Sequence, residues 1–205
     1  MSRITIIAGP PGVGKSTMGH LYVPPDMEII KKDEIIQANK AFHYKLFQQI
    51  AIQNWLSTIN NKLRVNTDFA FELNLGMPMH WDFAQSLKQQ HADHTLNVVL
   101  FFTDNLEMCR LRSEKRFEAG GHEVNPAVLE NMYNNTLPLL QFNFQHIDNL
   151  KLVNTAIDQD TKIVGVYDKE TRSFDILNRE PLWFKDKLQP FIEKQVTMST
   201  YFFAR

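Results

Sequence analysis

The chain carries a single cysteine, Cys109, among 205 residues. An internal disulfide and a cysteine-based metal cage are thereby excluded. Neither charge is in excess: 22 Lys and Arg stand against 23 Asp and Glu, for a formal net charge of −1. Bulk electrostatics therefore give no drive toward nucleic acid or anionic lipid, and only a local basic groove remains compatible with that balance. No apolar run approaches the ~18 residues that a membrane helix requires. The run at 4–8 that follows Arg3 is too short for the core of a signal peptide. Repeats, low-complexity tracts and Gly/Ser/Pro linkers are also missing, so the chain reads as one domain over 1–205. These absences predict a cytoplasmic protein with neither a membrane nor a nucleic-acid partner. What is present is a globular composition, 43% hydrophobic and 22% charged, which suffices to bury a core.

Apolar periodicity sets the order of elements. Residues 4–8 are β-rich and are broken by the glycines at 9–14. A helix is expected over about 15–21, ended by Pro24 and Pro25. A second strand is expected at 28–31, with Asp33 as cap of the next helix. Apolar positions from Phe42 to Leu63 fall at helical spacing. A buried strand at 68–73, a helix opened by Pro78, and a continuous apolar strand at 96–102 follow. Asp104 is read as the cap of a helix that Gly120 and Gly121 stop. Pro126 opens another helix to about 146, and a further parallel strand is expected at 150–154. A small hairpin and a last helix occupy about 160–195. This alternation predicts an α/β, three-layer fold with a central, mostly parallel sheet; the glycine-rich pattern at 9–17 makes it a P-loop NTPase/kinase fold, and the arginine cluster before Gly120-Gly121 adds a helical lid at about 110–135.

Residues 9–17 match the phosphate-binding pattern G-x-x-x-x-G-K-[ST]. Gly9, Pro10, Pro11, Gly12, Val13 and Gly14 would wrap their backbone around anionic oxygens, and the helix that follows adds its positive end. Lys15 would reach the β- and γ-phosphates. Ser16, followed by Thr17, would ligate Mg²⁺ through its hydroxyl. A β-run before the pattern and a helix after it supply the context the chemistry needs. ATP and Mg²⁺ are the cofactors this implies. A guanine-reading N-K-x-D is missing, since Asn39-Lys40-Ala41-Phe42 lacks the Asp. Motor ATPases are usually longer and carry a second acidic motif on a hydrophobic strand, for which Thr103-Asp104 is a weak substitute. A small-molecule kinase fits the length.

Phosphoryl transfer needs a base near the acceptor hydroxyl and cations around the phosphates. Asp33 lies at the strand end on the phosphate-loop side and is either that base or a plain helix cap. Glu72 ends the run Phe69-Ala70-Phe71. A carboxylate there should reach the cleft, for sugar hydroxyls or a metal-bound water, unless it forms an edge salt bridge. Arg110, Arg112, Lys115 and Arg116 are the densest cationic cluster. Arg112 and Arg116 share a helix face just before Gly120-Gly121. They read as lid arginines for the transferring phosphate, or as a solvated face. His122 could touch substrate, and Cys109 reads as core.

Four segments in order resemble the zeta-toxin family, in particular its chromosomal zeta-like branch. They are 6–17, the Lys32-Asp33-Glu34-Ile35 stretch, the Phe69-Ala70-Phe71-Glu72 stretch, and the arginines at 112–116 running into Gly120-Gly121-His122-Glu123-Val124-Asn125-Pro126. The family shows A-D-E-I, F-E-T-T and G-G-H-x-V-P at the last three places. The resemblance covers roughly the first 140 residues, and nothing distinctive follows from Leu150 onward. It implies a kinase that phosphorylates a hydroxyl of UDP-N-acetylglucosamine with ATP and Mg²⁺, restrained by a small antitoxin partner. It implies Asp33 as base, Glu72 as sugar-nucleotide ligand, and Arg112 and Arg116 as phosphate-stabilising groups. Asn74 and His122 join Glu72 on the substrate side.

Three departures stand against it. Leu73 and Asn74 replace two threonines, and Asn74 would bond different partners. Glu130, Asn131 and Met132 fall where many relatives carry arginines before the Tyr, here Tyr133. Lys32 precedes Asp33 in place of Ala. Two alternatives therefore stand beside the sugar-nucleotide kinase: a kinase of another small hydroxyl compound or of polynucleotide ends, and a catalytically weak ATP-binding partner protein.

Overall fold

The computed structural model describes residues 2–32, 34–35, 47–90, 94–121, 123–156 and 160–202. Seven strands form one sheet: β1 (Arg3–Ala8), β2 (Ile29–Ile30), β3 (Phe69–Leu73), β4 (Thr95–Phe102), β5 (Asn149–Thr155), β6 (Thr161–Asp168) and β7 (Ser173–Ile176). The spatial order is β2-β3-β1-β4-β5-β6-β7. The first five are mutually parallel, while β6 and β7 are antiparallel. The run at 96–102 is the central strand expected, since β4 lies between β1 and β5. Unbroken apolar stretches form parallel strands because helices cover both faces.

Side chains alternate along each strand and so divide the core into two layers. Ile4, Ile6, Phe69, Phe71 and Leu100 face one way. Against them pack α2 (Phe47–Arg64) through Trp55 and Ile59, and α3 (Pro78–Gln90) through Trp81 and Leu87. Ile7, Ala70, Val99, Phe101 and Val153 face the other way, onto Val13, Cys109 and Leu129. Cys109 belongs to α4 (Leu106–Glu118) and Leu129 to α5 (Pro126–Phe142). Val13 and α1 (Lys15–Met18) complete that layer. The sheet between two helical layers is the three-layer α/β fold that the alternation predicts.

Several boundaries differ from expectation. The helix after the glycines has only four α-helical residues, then a 3₁₀ turn, Gly19–Tyr22. Gly19 makes the tight turn against the sheet, where a Cβ would lie 3.0 Å from the Ile7 side chain. The helix opened by Pro126 stops at Phe142, and a 3₁₀ turn, Phe144–His146, finishes the expected stretch. The final helix begins as a π-helical segment, Trp183–Leu188, and continues as α6 (Gln189–Phe202).

Asp104 does not cap α4. That role falls to Asn105, whose side-chain oxygen accepts from the Met108 N–H at 2.8 Å. The Asp104 carboxylate instead accepts from the N–H groups of Leu182 and Trp183, at 2.9 and 2.8 Å. It thus ties the C-terminal helical segment to the end of β4. No helix among the described residues is long and apolar enough to cross a membrane.

Candidate functional site

The phosphate-binding loop leaves β1 at Gly9 and is held from below by two backbone approaches. Gly12 has φ +78°, and a Cβ there would lie 2.0 Å from the Cys109 carbonyl oxygen. Gly9 has φ +134°, and a Cβ there would lie 2.2 Å from the Phe101 carbonyl oxygen. Only glycine meets both demands, positive φ and no side chain. Val13, fully buried, pins the loop to the core. The N–H groups of Thr17 and Met18 then donate to the Gly14 carbonyl and start α1.

Lys15 is 8% exposed, and its Nζ donates to the carbonyls of Gly9 and Pro10 at 2.7 and 2.9 Å. The ammonium is thus held over the concave side of its own loop. β3 lies directly beside β1 in parallel, with Glu72 level with Ile7 and Leu73 level with Ala8. Glu72 therefore leaves the sheet next to the loop, and its Oε2 accepts from the Ser16 hydroxyl at 2.6 Å. Its Oε1 is buried with no hydrogen-bond partner. The second acidic position of the site is thus Glu72 on β3, and not Asp104 beyond β4.

A cleft of about 680 Å³ opens above the loop. Of the cationic cluster on α4, Arg112, Lys115 and Arg116 line it. Arg110 does not: it pairs with Glu107 and, at 2.7 Å, with Glu130. Arg112 lies beside Gly14 and donates from Nη2 to the Ala156 carbonyl at 2.9 Å, just past the end of β5. Asn74 lines the cleft and donates weakly to the Met132 sulfur at 3.5 Å. Met132, which stands where the family resemblance predicts arginine, lines the cleft. Asp33 and His122 lie outside the described residues. Cys109 is core, as its neighbours in sequence suggested. Burial pushes its thiol pKa up to about 11, which leaves it an inert, protonated group.

Three lining residues were not singled out as ligands by the sequence. Lys32 follows β2 and holds its Nζ 5.7 Å from the centroid of the buried Trp55 ring. His80, in the first turn of α3, has Nδ1 buried without a partner. Its imidazolium is disfavoured first by burial and then by the charges of Lys32 and Lys15, so its pKa falls below the ordinary histidine range. Thr155, at the end of β5, is 2% exposed with Oγ1 unpartnered. None has a spacing signature, because each reaches the cleft through tertiary packing. Among the described residues no group of three His, Cys, Asp or Glu side chains could hold a metal. The donors that could face a cation are the Ser16 hydroxyl and the Glu72 carboxylate. That oxygen-only, incomplete set suits an ion such as Mg²⁺, which keeps waters and binds phosphate oxygens.

No protein-family model and no curated protein matches the sequence. Solved structures do. A chain of the AvrRxo1-ORF1:-ORF2 complex with ATP aligns with a TM-score of 0.64 at 13% identity, over 87% of this chain and 61% of that one. The present chain thus spans about three fifths of that neighbour. The PezAT chromosomal toxin–antitoxin system of Streptococcus pneumoniae gives 0.59 at 15% identity, over 97% and 83%. The Pnkp1/Rnl/Hen1 RNA repair complex gives 0.51 at 16%, over 72% and 46%. At these identities the likeness establishes architecture alone, an α/β fold with a central, mostly parallel sheet.

Proposed function

We propose that the chain is an ATP-dependent phosphotransferase acting on a hydroxyl of a small molecule, with a sugar nucleotide such as UDP-N-acetylglucosamine as the leading acceptor. The observation that carries this reading is the Ser16–Glu72 hydrogen bond at 2.6 Å. It sets a hydroxyl and a carboxylate side by side at the mouth of a phosphate loop, in a cleft of about 680 Å³. The loop amides and Lys15 bind the triphosphate. Mg²⁺, when bound, would neutralise charge on the β- and γ-phosphates. Ser16 would ligate it, and Glu72 would orient its waters or the acceptor.

The acceptor oxygen attacks the γ-phosphorus, the bond to the β,γ-bridging oxygen breaks, and ADP leaves. The hydroxyl proton goes to a carboxylate, which the zeta-toxin resemblance assigns to Asp33. Arg112, Lys115 and Arg116 offset the charge on the transferring group. Cys109 packs beneath the loop, and the proposed lid is the stretch at about 110–135 that follows it. The PezAT neighbour is a toxin–antitoxin system, and an antitoxin-like partner is part of the same proposal.

A second reading, an ATP-binding partner protein with little turnover, is favoured by α5. Where the zeta-like pattern carries arginines, Glu130 is tied to Arg110 and Met132 occupies the cleft. One experiment separates the two. ADP release is measured with ATP and Mg²⁺, with and without UDP-N-acetylglucosamine, for wild type and Lys15→Ala. Acceptor-dependent release that the variant lacks is the expected result. ATP binding without release on any hydroxyl acceptor in a panel would replace the kinase with the partner protein.

A further inference from the structure

One wall of the cleft is the end of β5, and that end is set from behind. Leu152 packs in the layer that holds Trp183 and Ile192, and Val153 in the layer that holds Val13 of the phosphate loop. The alternation continues: Asn154 faces Trp183, and Thr155 faces the loop. A Cβ on Gly14 would lie 3.9 Å from Thr155 Cγ2 and 3.9 Å from Arg112 Nη1. Ala156, one residue on, accepts from Arg112 Nη2 at 2.9 Å through its carbonyl. The place of a cleft arginine is thus a property of where β5 stops.

Trp183 fixes that stop. It is 1% exposed, and its indole Nε1 donates to Asn154 Oδ1 at 2.8 Å. Its backbone N–H donates to the Asp104 carboxylate at 2.8 Å, beyond the end of β4. Its ring meets Phe102 edge-on at 5.4 Å, and Phe102 is the β4 partner of Asn154 in the sheet. Phe102 stacks in turn on Tyr133 of α5 at 4.8 Å, and the Tyr133 hydroxyl donates to the Thr103 carbonyl at 2.7 Å. One side chain therefore joins the ends of β4 and β5 to the helix that carries Met132 into the cleft. An indole buried for packing alone needs only some acceptor for its N–H. This one takes the acceptor that directly precedes Thr155 and Ala156.

We infer that Trp183 is a positioning residue for the nucleotide: through Asn154 it sets the end of β5, and through the Ala156 carbonyl it sets Arg112 beside the phosphate loop. The role rests on the kinase reading, which puts the triphosphate on that loop. It gives the C-terminal helical segment, for which the sequence offers no motif, a part in the site.

The test is a double-mutant cycle on the full chain. Calorimetry gives the Kd and stoichiometry of a non-hydrolysable ATP analogue with Mg²⁺ for wild type, Lys15→Ala, Trp183→Phe, Arg112→Ala and the variant carrying the last two together. Phenylalanine keeps a ring in the core and removes the N–H. Trp183→Phe should weaken the analogue about three- to tenfold at unchanged stoichiometry. In the Arg112→Ala background the same substitution should change the Kd by less than about twofold, because the group it positions is gone. Asn154→Ala removes the bond from its other end and should reproduce both results, and it decides the question alone should Trp183→Phe not fold. A merely structural tryptophan would lower the fraction of chains that bind and leave the Kd of the rest in place.

Failure of the wild type to bind the analogue, or equal binding by Lys15→Ala, would defeat the kinase reading and the positioning role with it. Binding that Lys15→Ala loses, with a Kd that neither Trp183→Phe nor Asn154→Ala changes, would overturn the positioning role alone. So would a weakening by Trp183→Phe that persists in full without Arg112, or one that Asn154→Ala does not share.

Discussion

At the residue scale the molecule is decided by what each side chain is denied. Gly12 is denied a Cβ by the Cys109 carbonyl, and Cys109 is denied water by the layer that supports the loop. The consequence is measurable. With the folded thiol near pKa 11 and the unfolded one near 9, the unfolded chain releases its proton first as pH rises. The unfolded state then binds fewer protons, so stability is intact below about pH 9 and falls between about pH 9 and 11. Two pKa steps correspond to about 2 to 3 kcal/mol. Tyr133, pushed up to about 12 mainly by burial, extends the loss above pH 10. Urea midpoints at pH 8 and 10.5 should show the drop, and Cys109→Ala should flatten it. An unchanged pH slope in that variant would mean that the thiol titrates normally. The motif residues were legible here because the loop's chemistry is local. His80, Thr155 and Lys32 were not, because a lone residue has no period and its neighbours in space come from other elements.

At the scale of elements, the parallel strands were legible because apolar runs buried on both faces leave few alternatives. Caps were less so. Both Asp104 and Asn105 can accept from a helix N-terminus, and the sequence before α4 offers them one residue apart. The fold gives α4 to Asn105 and frees Asp104 to bond Leu182 and Trp183, 78 and 79 residues away. No local rule reaches that far. Replacing the carboxylate should therefore damage the C-terminal segment and leave α4 intact. Asp104→Ala is expected to cost about 1 to 2 kcal/mol, the range for a lost cap. Amide exchange should accelerate at Leu182 and Trp183 while Met108 keeps its protection. Faster exchange at Met108 would return the capping role to Asp104. The second acidic group of the site follows the same logic. Its identity depended on which strand lies beside β1, and pairing order is a property of the sheet that no single strand displays.

At the scale of the whole molecule, one cleft collects residues from β3, β5, α1, α3, α4 and α5 and from the segment that follows β2. A ligand seated in it touches elements that are far apart in the chain and that must all be folded for the site to exist. Binding should then stabilise the fold as a unit, by RT ln(1 + L/Kd) with L the free ligand concentration. At MgATP concentrations about 100 times the Kd, the gain is about 2.7 kcal/mol. For a chain of this length each kcal/mol moves the melting midpoint by roughly 2–4 °C, so a rise of about 5–11 °C is expected. Lys15→Ala removes the ammonium that spans the loop carbonyls and should abolish most of that rise at the same nucleotide concentration. Its own melting point without nucleotide should change less than the nucleotide-induced shift, since the Lys15 ammonium donates to carbonyls of its own loop. A full shift retained in Lys15→Ala would show that the nucleotide sits away from the loop, and the roles of Ser16, Glu72 and the α4 arginines would fall with it. A shift lost only in the variant ties the melting of the whole sheet to the occupancy of one loop between β1 and α1.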